Sequence, residues 1–176
     1  MKRFTTEEQH QAFRDFLNQN VGVVRRICRI YTDHADDYQD YFQEVVLQLW
    51  KTFGTFRGEA QASTWVYRIA LNVCLSLLKS KKRRVTEVAL ESDHWGKVAY
   101  EDYDPTQEEQ VAQLYAAIRQ LNEIDRAVIL LFLEGKKYED ISDILGITLS
   151  HVGVKINRVK KQLNRLIHGR STNTLA

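Results

Sequence analysis

The chain has 176 residues, of which 44% are hydrophobic and 27% are charged, and its formal net charge is +2. This length allows one medium domain or two small ones, and so small a net charge does not predict a partner. One proline and eight glycines indicate a mostly helical chain with few turns. No apolar run approaches the roughly 18 residues that span a bilayer, and the N-terminus lacks the apolar segment of a signal peptide. We therefore expect a cytoplasmic protein without membrane insertion.

Apolar residues recur at helical spacing through the first half of the chain and predict four helices. The first opens at a capping box formed by Thr5 and Glu8, and its inner face carries Phe13, Phe16 and Leu17. The others are expected at about 21–31, at about 36–53, and from Ser63 into the basic run 79–84.

The third predicted helix has a wide apolar face, and polar residues lie opposite it. This outer face carries Asp40, Gln43, Glu44, Leu47 and Lys51. Carboxylates on such a face usually serve only solvation, but an apolar Leu47 among them favours docking against a basic, partly apolar surface. A catalytic pair of Asp40 and Glu44 is not expected, because no complementary acid, base or metal ligand is nearby.

The segment 55–63 joins the third and fourth helices and combines a glycine with polar and aromatic residues. Gln61 and Ser63 can hydrogen-bond a base edge, and Phe56 and Trp65 flank them. Such a segment suits an unstacked base held in a small pocket. The alternative is that both aromatic residues belong to the core and that the segment only connects two helices.

The fourth predicted helix continues into a strongly basic segment. Arg68, Asn72, Lys79 and the basic run lie toward one end of it, where each phosphate that they neutralise would add to DNA affinity in a salt-dependent way. The alternative for the basic run is a solubilising helix end.

The cysteines and histidines predict no metal site. Cys28 and Cys74 each lie in an apolar helical context and are expected to be buried free thiols. The five histidines form no cluster with ligand-like spacing. We expect neither a metal nor a cofactor.

Helical periodicity is lost over 85–104, where mixed polar and acidic residues predict a linker. Order resumes at Asp104, Pro105 and Gln107, an N-cap followed by favoured first-turn residues, and a helix is expected to about Leu121. Asn122 then caps a further helix that runs from Glu123 to a stop at Gly135.

The last segment predicts two helices joined by a tight turn. The first covers 138–145 and ends at Gly146, where a positive φ is needed, and Thr148 caps the second helix, which begins at Leu149. The second helix has an apolar stripe made of Val152, Ile156, Val159, Leu163 and Leu166. Its opposite side carries Ser150, His151, Val154, Arg158, Lys161 and Arg165. The pattern fits a helix-turn-helix that enters the major groove of DNA, and the alternative is an ordinary helical hairpin with a solvated charged face.

These motifs resemble a known family when they are taken together. The sequence from Asp40 to Trp50, followed by Trp65 to Asn72, resembles regions 2.2 to 2.4 of bacterial RNA polymerase sigma factors. The second half looks like region 4 of the same proteins, with Tyr138-Glu139-Asp140-Ile141 and Gly146-Ile147-Thr148 at the expected spacings. The chain length and the two modules resemble the extracytoplasmic-function subfamily of the sigma-70 family.

The resemblance implies an all-α fold of two small domains, a region 2 helical bundle and a region 4 helix-turn-helix, joined by a flexible linker. The expected boundaries are 1–84 for region 2, 85–104 for the acidic linker, 105–169 for region 4 and 170–176 for a tail. The implied partners are core RNA polymerase, through its β′ clamp helices and β flap, promoter DNA, and an anti-sigma factor. The chain would have no catalytic residues and no reaction of its own.

The resemblance also implies three sets of binding residues. Those expected on or beside the face that contacts core polymerase are Asp40, Gln43, Glu44, Leu47 and Trp50. Those expected at the −10 element, where a flipped base would be captured, are Phe56, Arg57, Gln61, Ser63, Trp65, Arg68, Asn72 and Lys79. Those expected at the −35 element are Ser150, His151, Val154, Lys155, Arg158 and Lys161.

Other functions remain open from the sequence. The main alternative is a stand-alone transcription regulator whose helix-turn-helix binds operator DNA, which would leave the Asp40–Trp50 face without a purpose. A helical signalling or nuclease domain would need a ligand or metal constellation that the sequence does not offer.

Overall fold

The computed structural model describes residues 6–56, 61–87 and 105–168. Every regular element in these ranges is an α-helix, which confirms the expected fold class. The elements are α1 (Thr6–Tyr31), α2 (Ala35–Phe53), α3 (Ala62–Glu87), α4 (Pro105–Arg119), α5 (Glu123–Leu133), α6 (Tyr138–Leu145) and α7 (Leu149–His168). Within the described ranges, no helix combines the length and the apolar character that crossing a membrane requires.

The helices form two compact units, in agreement with the two helical domains that the resemblance implies. Unit 1 holds most of α1 together with α2 and α3. Unit 2 holds α4 to α7 and the segment Arg29–Ala35. Predictions for Thr5, Arg57, Asp104, most of the linker and the tail fall outside the described residues.

The prediction of two helices before Tyr31 is wrong, because α1 is one continuous helix of 26 residues. No proline interrupts it, and the side chain of Asn20 is satisfied within the helix. Asn20 is almost fully buried, and its Nδ2 donates to the carbonyl oxygen of Phe16 at 2.8 Å, one turn earlier. A polar side chain that bonds within its own helix removes the usual reason for a break at this point.

Unit 1 is held together by an aromatic cluster next to an aliphatic core. The ring of Phe13 packs against those of Trp50 and Phe53, with centroids 5.1 and 5.3 Å apart. Fully buried aliphatic residues from all three helices complete the core: Val24, Ile27, Val45, Leu49, Val66 and Ala70. The bounds of α2 and the course of α3 through the basic run match the predictions, and α3 continues to Glu87, beyond the expected start of the linker.

Helix α4 of unit 2 begins at Pro105, as predicted from the preference of proline for the first helical position. Helix α4 ends at Arg119, two residues before the expected end, and the side chain of Arg126 satisfies the carbonyls there. Its Nε donates to the carbonyl oxygen of Leu121 at 2.9 Å, and its Nη2 donates to that of Arg119. These bonds fasten the α4–α5 connection, because carbonyls at a helix end lack partners within the helix.

Helix α5 has the predicted cap and the predicted stop. The side-chain oxygen of Asn122 accepts the backbone N–H of Asp125 at 3.0 Å, and Gly135 has a φ of 71° just past the end of the helix. The core of the unit is formed by buried aliphatic residues of α5, α6 and α7: Val128, Leu131, Ile141, Ile144, Val152, Ile156, Val159 and Leu163.

Candidate functional site

The turn between α6 and α7 has the geometry that its sequence predicts. Gly146 has a φ of 65° and donates its backbone N–H to the carbonyl oxygen of Ser142 at 2.8 Å. The hydroxyl oxygen of Thr148 accepts the backbone N–H of His151 at 3.3 Å, so Thr148 caps α7. The positive φ and the cap are both confirmed. Together they set the start of α7 at Leu149.

Helix α7 divides into a buried stripe and an exposed outer face. The first four residues of the predicted stripe are buried, and Leu166 at its end is half-buried. The outer face consists of Ser150, His151, Val154, Arg158 and Lys161, all of which are exposed. Val154 is 66% exposed although it is apolar. A helix with its N-terminal polar and apolar side chains facing outward is the geometry that reads base edges in a major groove.

Lys155 differs from the other predicted −35 residues, because its ammonium group lies inside unit 2. Its side chain is 13% exposed, and its Nζ lies 2.8 Å from Oδ1 of Asp125, a residue of α5 that is almost fully buried. Arg158 also reaches this carboxylate, with its Nη2 2.6 Å from Oδ2. Burial alone would raise the pKa of Asp125, but hydrogen bonds from Lys155, Arg158 and Asn122 outweigh it, so the pKa lies below its usual value.

Asp125 is the residue that the sequence interpretation missed. One signal was present, since an acidic residue three positions after a capping asparagine can accept a hydrogen bond from the cap residue. The Nδ2 of Asn122 does donate to Oδ2 of Asp125, at 2.6 Å. The pairing with Lys155 and Arg158, which are 30 and 33 residues further along the chain, has no local signal.

The outer face of α2 brings together most of the residues predicted to bind core polymerase. Asp40, Gln43, Glu44 and Leu47 line a shallow cleft of about 560 Å³, whose opposite side is formed by α3 residues that include Leu77 and Lys81. Leu47 is 43% exposed there. The cleft therefore offers carboxylates and an exposed leucine side by side, which suits a basic and partly apolar protein surface.

Trp50 lies apart from this cleft. Its ring packs against Phe13 and against the ring of His10, whose centroid is 4.9 Å away. It is half-buried and contributes to the α1–α2 contact beside the outer face. A role in positioning α2 fits this packing better than an exposed docking side chain does.

The predicted base-binding segment is bounded by two aromatic residues that pack against each other. The ring centroids of Phe56 and Trp65 are 5.0 Å apart, and both rings also contact Phe16, at 5.8 and 5.6 Å. The two residues are half-buried, so the core interpretation of the aromatics holds for part of each ring. Gln61 is exposed and Ser63 is half-buried at the start of α3.

Helix α3 presents a polar stripe made of Arg68, Asn72 and Lys79. All three side chains are exposed, and their spacing places them on one side of the helix. The stripe continues toward the basic run, where Lys81 forms an ion pair with Asp37 of α2 at 2.5 Å. The geometry suits contacts along a nucleic-acid backbone.

The described residues offer no site for a metal ion. No group of three or more histidine, cysteine, aspartate or glutamate side chains comes together within them. Cys28 and Cys74 form no disulfide and are buried, as predicted. A hydrogen bond with Cys28 and then burial raise the pKa of the Cys74 thiol, which keeps it protonated and unreactive.

Comparison with known proteins agrees with the two-unit architecture. Residues 16–84 match the model of Sigma-70 region 2, and residues 112–163 match that of Sigma-70, region 4. The chain is 28% identical over 162 residues to the RNA polymerase sigma-H factor of Pseudomonas aeruginosa, a match that covers 86% of this chain and 82% of that protein. It is also 28% identical over 162 residues to the ECF RNA polymerase sigma-E factor of Haemophilus influenzae, covering 86% and 83%.

Solved structures share the fold. The sigma factor RpoE of Bartonella quintana, in complex with the anti-sigma factor NepR, superposes with a TM-score of 0.71 at 20% identity, over 90% of this chain and 98% of that one. CnrH in complex with the cytosolic domain of CnrY gives a TM-score of 0.65 at 17% identity, over 91% and 90% of the two chains.

Proposed function

Because this chain belongs to the sigma-70 family and to its extracytoplasmic-function subfamily, we propose that it is a dissociable initiation subunit that directs core RNA polymerase to −35/−10 promoters. It would carry out no reaction of its own. The observation that carries the proposal is the match of both sigma regions, in order, each to a compact helical unit with an exposed polar face. A stand-alone regulator would need only the second of these units.

The contact with core polymerase is assigned to the outer face of α2. Asp40, Gln43, Glu44 and Leu47 supply acidic, polar and apolar groups around one cleft, with Trp50 beside it. The proposed counterpart is the β′ clamp helices, and unit 2 would contact the β flap. An exposed leucine among carboxylates gives affinity through burial while the charges orient the partner.

Promoter opening is assigned to the segment between α2 and α3. Phe56, Arg57, Gln61, Ser63 and Trp65 would hold an extruded base of the −10 element, and the polar stripe of α3 would follow the non-template strand. Extrusion costs a few kcal/mol, which stacking and hydrogen bonds in a pocket offset. The partly exposed rings of Phe56 and Trp65 support this assignment.

Recognition of the −35 element is assigned to the outer face of α7. Ser150, His151 and Val154 lie near its N-terminus and would face base edges, whereas Arg158 and Lys161 lie further along and would face phosphates. Val154 offers a methyl contact to thymine. Two elements read by two tethered units give additive discrimination and favour one spacer length.

An anti-sigma factor is a further proposed partner. One of the two solved structures that share the fold is a sigma factor in complex with an anti-sigma factor, and the similarity extends over 90% of this chain. Such a partner would cover the surfaces assigned to polymerase and DNA.

The test is in vitro transcription from genomic DNA with purified core polymerase that lacks any other sigma factor, followed by sequencing of transcript 5′ ends. We expect discrete start sites only when this chain is added. Leu47→Arg should abolish them, because it places a cation where an apolar contact is proposed. Gln19→Arg, the same charge change at an exposed position of α1, is the matched control. Core enzyme that stays inert with the wild-type chain, while the chain alone binds duplex DNA tightly, would favour the regulator instead.

A further inference from the structure

Asp125 is a charged side chain with almost no contact with solvent, at the first turn of α5. Its carboxylate is 1% exposed and accepts three side-chain hydrogen bonds. Oδ1 accepts a hydrogen bond from the ammonium of Lys155 at 2.8 Å. Oδ2 accepts one from the guanidinium of Arg158 and one from the amide of Asn122, each at 2.6 Å. A buried carboxylate is stable only when it is paired and hydrogen-bonded in this way.

The two cations that it holds are three residues apart on α7, and their side chains have different environments. Lys155 is 13% exposed, whereas Arg158 is 58% exposed. Neighbouring cations on a helix repel each other, and the carboxylate between them removes that repulsion. Lys155 has its ammonium turned into unit 2, whereas more than half of the Arg158 side chain is exposed, and its guanidinium has five N–H donors.

The group formed by Asp125, Lys155 and Arg158 has a net positive charge, and part of it is exposed. Two cations and one carboxylate leave one net positive charge, and Arg158 is the more exposed of the two cations. Since Asp125 fixes one end of that guanidinium, the planar group is oriented before DNA arrives, and less side-chain freedom is lost on binding. A duplex phosphate is the anion that this arrangement fits, because arginine binds phosphate with paired N–H donors.

We propose that Asp125 is a positioning residue for DNA binding: it keeps Lys155 inside unit 2 as a structural cation and presents Arg158 to a phosphate of the duplex. The inference rests on the proposed function for the identity of the ligand. The proposal also divides the outer face of α7 into two roles. Ser150, His151 and Val154 read bases, while Arg158 sets the register of the helix on the DNA backbone. The family resemblance placed Lys155 among the −35 contacts. In this proposal Lys155 affects DNA binding only through Asp125.

The experiment measures how the full-length protein binds a short fluorescein-labelled duplex of random sequence between about 50 and 200 mM salt. Loss of one phosphate contact lowers the slope of log affinity against log salt by about 0.9. We expect this change for Arg158→Gln, together with an affinity loss of about tenfold at low salt. We expect an unchanged slope for Lys155→Gln. The matched control is Lys160→Gln, and its slope is compared with that of Arg158→Gln. Lys160 is an exposed cation of the same helix, and its Nζ lies 4.2 Å from the centre of the Phe132 ring.

A double-mutant cycle tests positioning separately from folding. Asp125→Asn should weaken binding in the wild-type background and have little further effect when Arg158 is already Gln, because the two residues act through one contact. A general loss of structure would weaken binding in both backgrounds. If Lys155→Gln alone does not fold, Asp125→Asn/Lys155→Gln removes both partners together, and its slope is compared with that of Asp125→Asn.

Three results would overturn the inference: a slope that falls by about 0.9 on loss of Lys155, additive effects in the cycle, or no measurable duplex binding by the wild-type chain. The transcription assay decides the proposed function independently. Start sites that depend on this chain, combined with any of these results, would leave the initiation role intact and remove only the role of Asp125.

Discussion

Two glycines of the helix-turn-helix should respond oppositely to the same substitution, and the structure sets the size of each effect. Gly153 lies inside α7, and a Cβ added there would meet only Cε2 of Tyr138, at 3.7 Å, which is an ordinary van der Waals contact. Glycine inside a helix costs about 0.5–1 kcal/mol relative to alanine. Gly153→Ala should therefore stabilise unit 2 by about that amount.

Gly146 lies at the turn, where a Cβ would meet nothing within 4 Å, but its φ is 65°. The cost of alanine there is thus a backbone cost, about 1–2 kcal/mol, and it is partly offset by the lower entropy of the unfolded chain. Gly146→Ala should destabilise unit 2 by about 1 kcal/mol. The two variants should then differ by about 2 kcal/mol, or roughly thirtyfold in the opening equilibrium of the unit.

Native-state hydrogen exchange, read on peptides from α5 to α7, measures this opening without interference from unit 1. Exchange should slow in Gly153→Ala and accelerate in Gly146→Ala, while peptides from α2 and α3 keep the wild-type rates. The reasoning is refuted if both substitutions shift protection in the same direction, or if Gly153→Ala accelerates exchange. The second outcome would mean that the contact with Tyr138 is more restrictive than its distance indicates.

Three further predictions concern the ion pairs, the aromatic cluster and the thiols. Because the pKa of Asp125 is lowered in the folded state, its charge stabilises unit 2 above the usual carboxyl pKa, and this contribution is lost as the pH falls below about 4. Urea unfolding should therefore show a gap between wild type and Asp125→Asn that is full at pH 7 and shrinks below about pH 4; a constant gap would contradict the ion-pair argument. In urea unfolding, Phe16→Ala should destabilise unit 1 by about 2–4 kcal/mol, somewhat less than the same substitution at a fully buried phenylalanine. Phe16→Leu should cost less in the same measurement. Cys28 and Cys74 should react with a thiol reagent only as fast as the native protein opens, and rapid labelling of the folded chain would contradict their burial.

Sequence patterns predicted the helical elements well wherever a local rule applied. The cap at Asn122, the positive φ of Gly146 and the start of α7 at Leu149 each depend on residues within one turn of the chain, and all three are confirmed. The buried stripe of α7 follows from helical periodicity in the same way. The division of α1 into two helices was wrong because the local pattern near Asn20 did not show that its side chain bonds within a continuous helix.

Tertiary structure decided what each side chain on these helices contacts. Periodicity placed Arg158 on the outer side of α7, and the family resemblance placed Lys155 among the −35 contacts, but only the packing of α5 against α7 supplied a buried carboxylate to both. Trp50 follows the acidic face of α2 in sequence, yet its ring packs against α1. The physical reason is the same in both places. A helix repeat specifies the direction in which a side chain points, whereas its partner comes from another helix whose approach depends on the whole core.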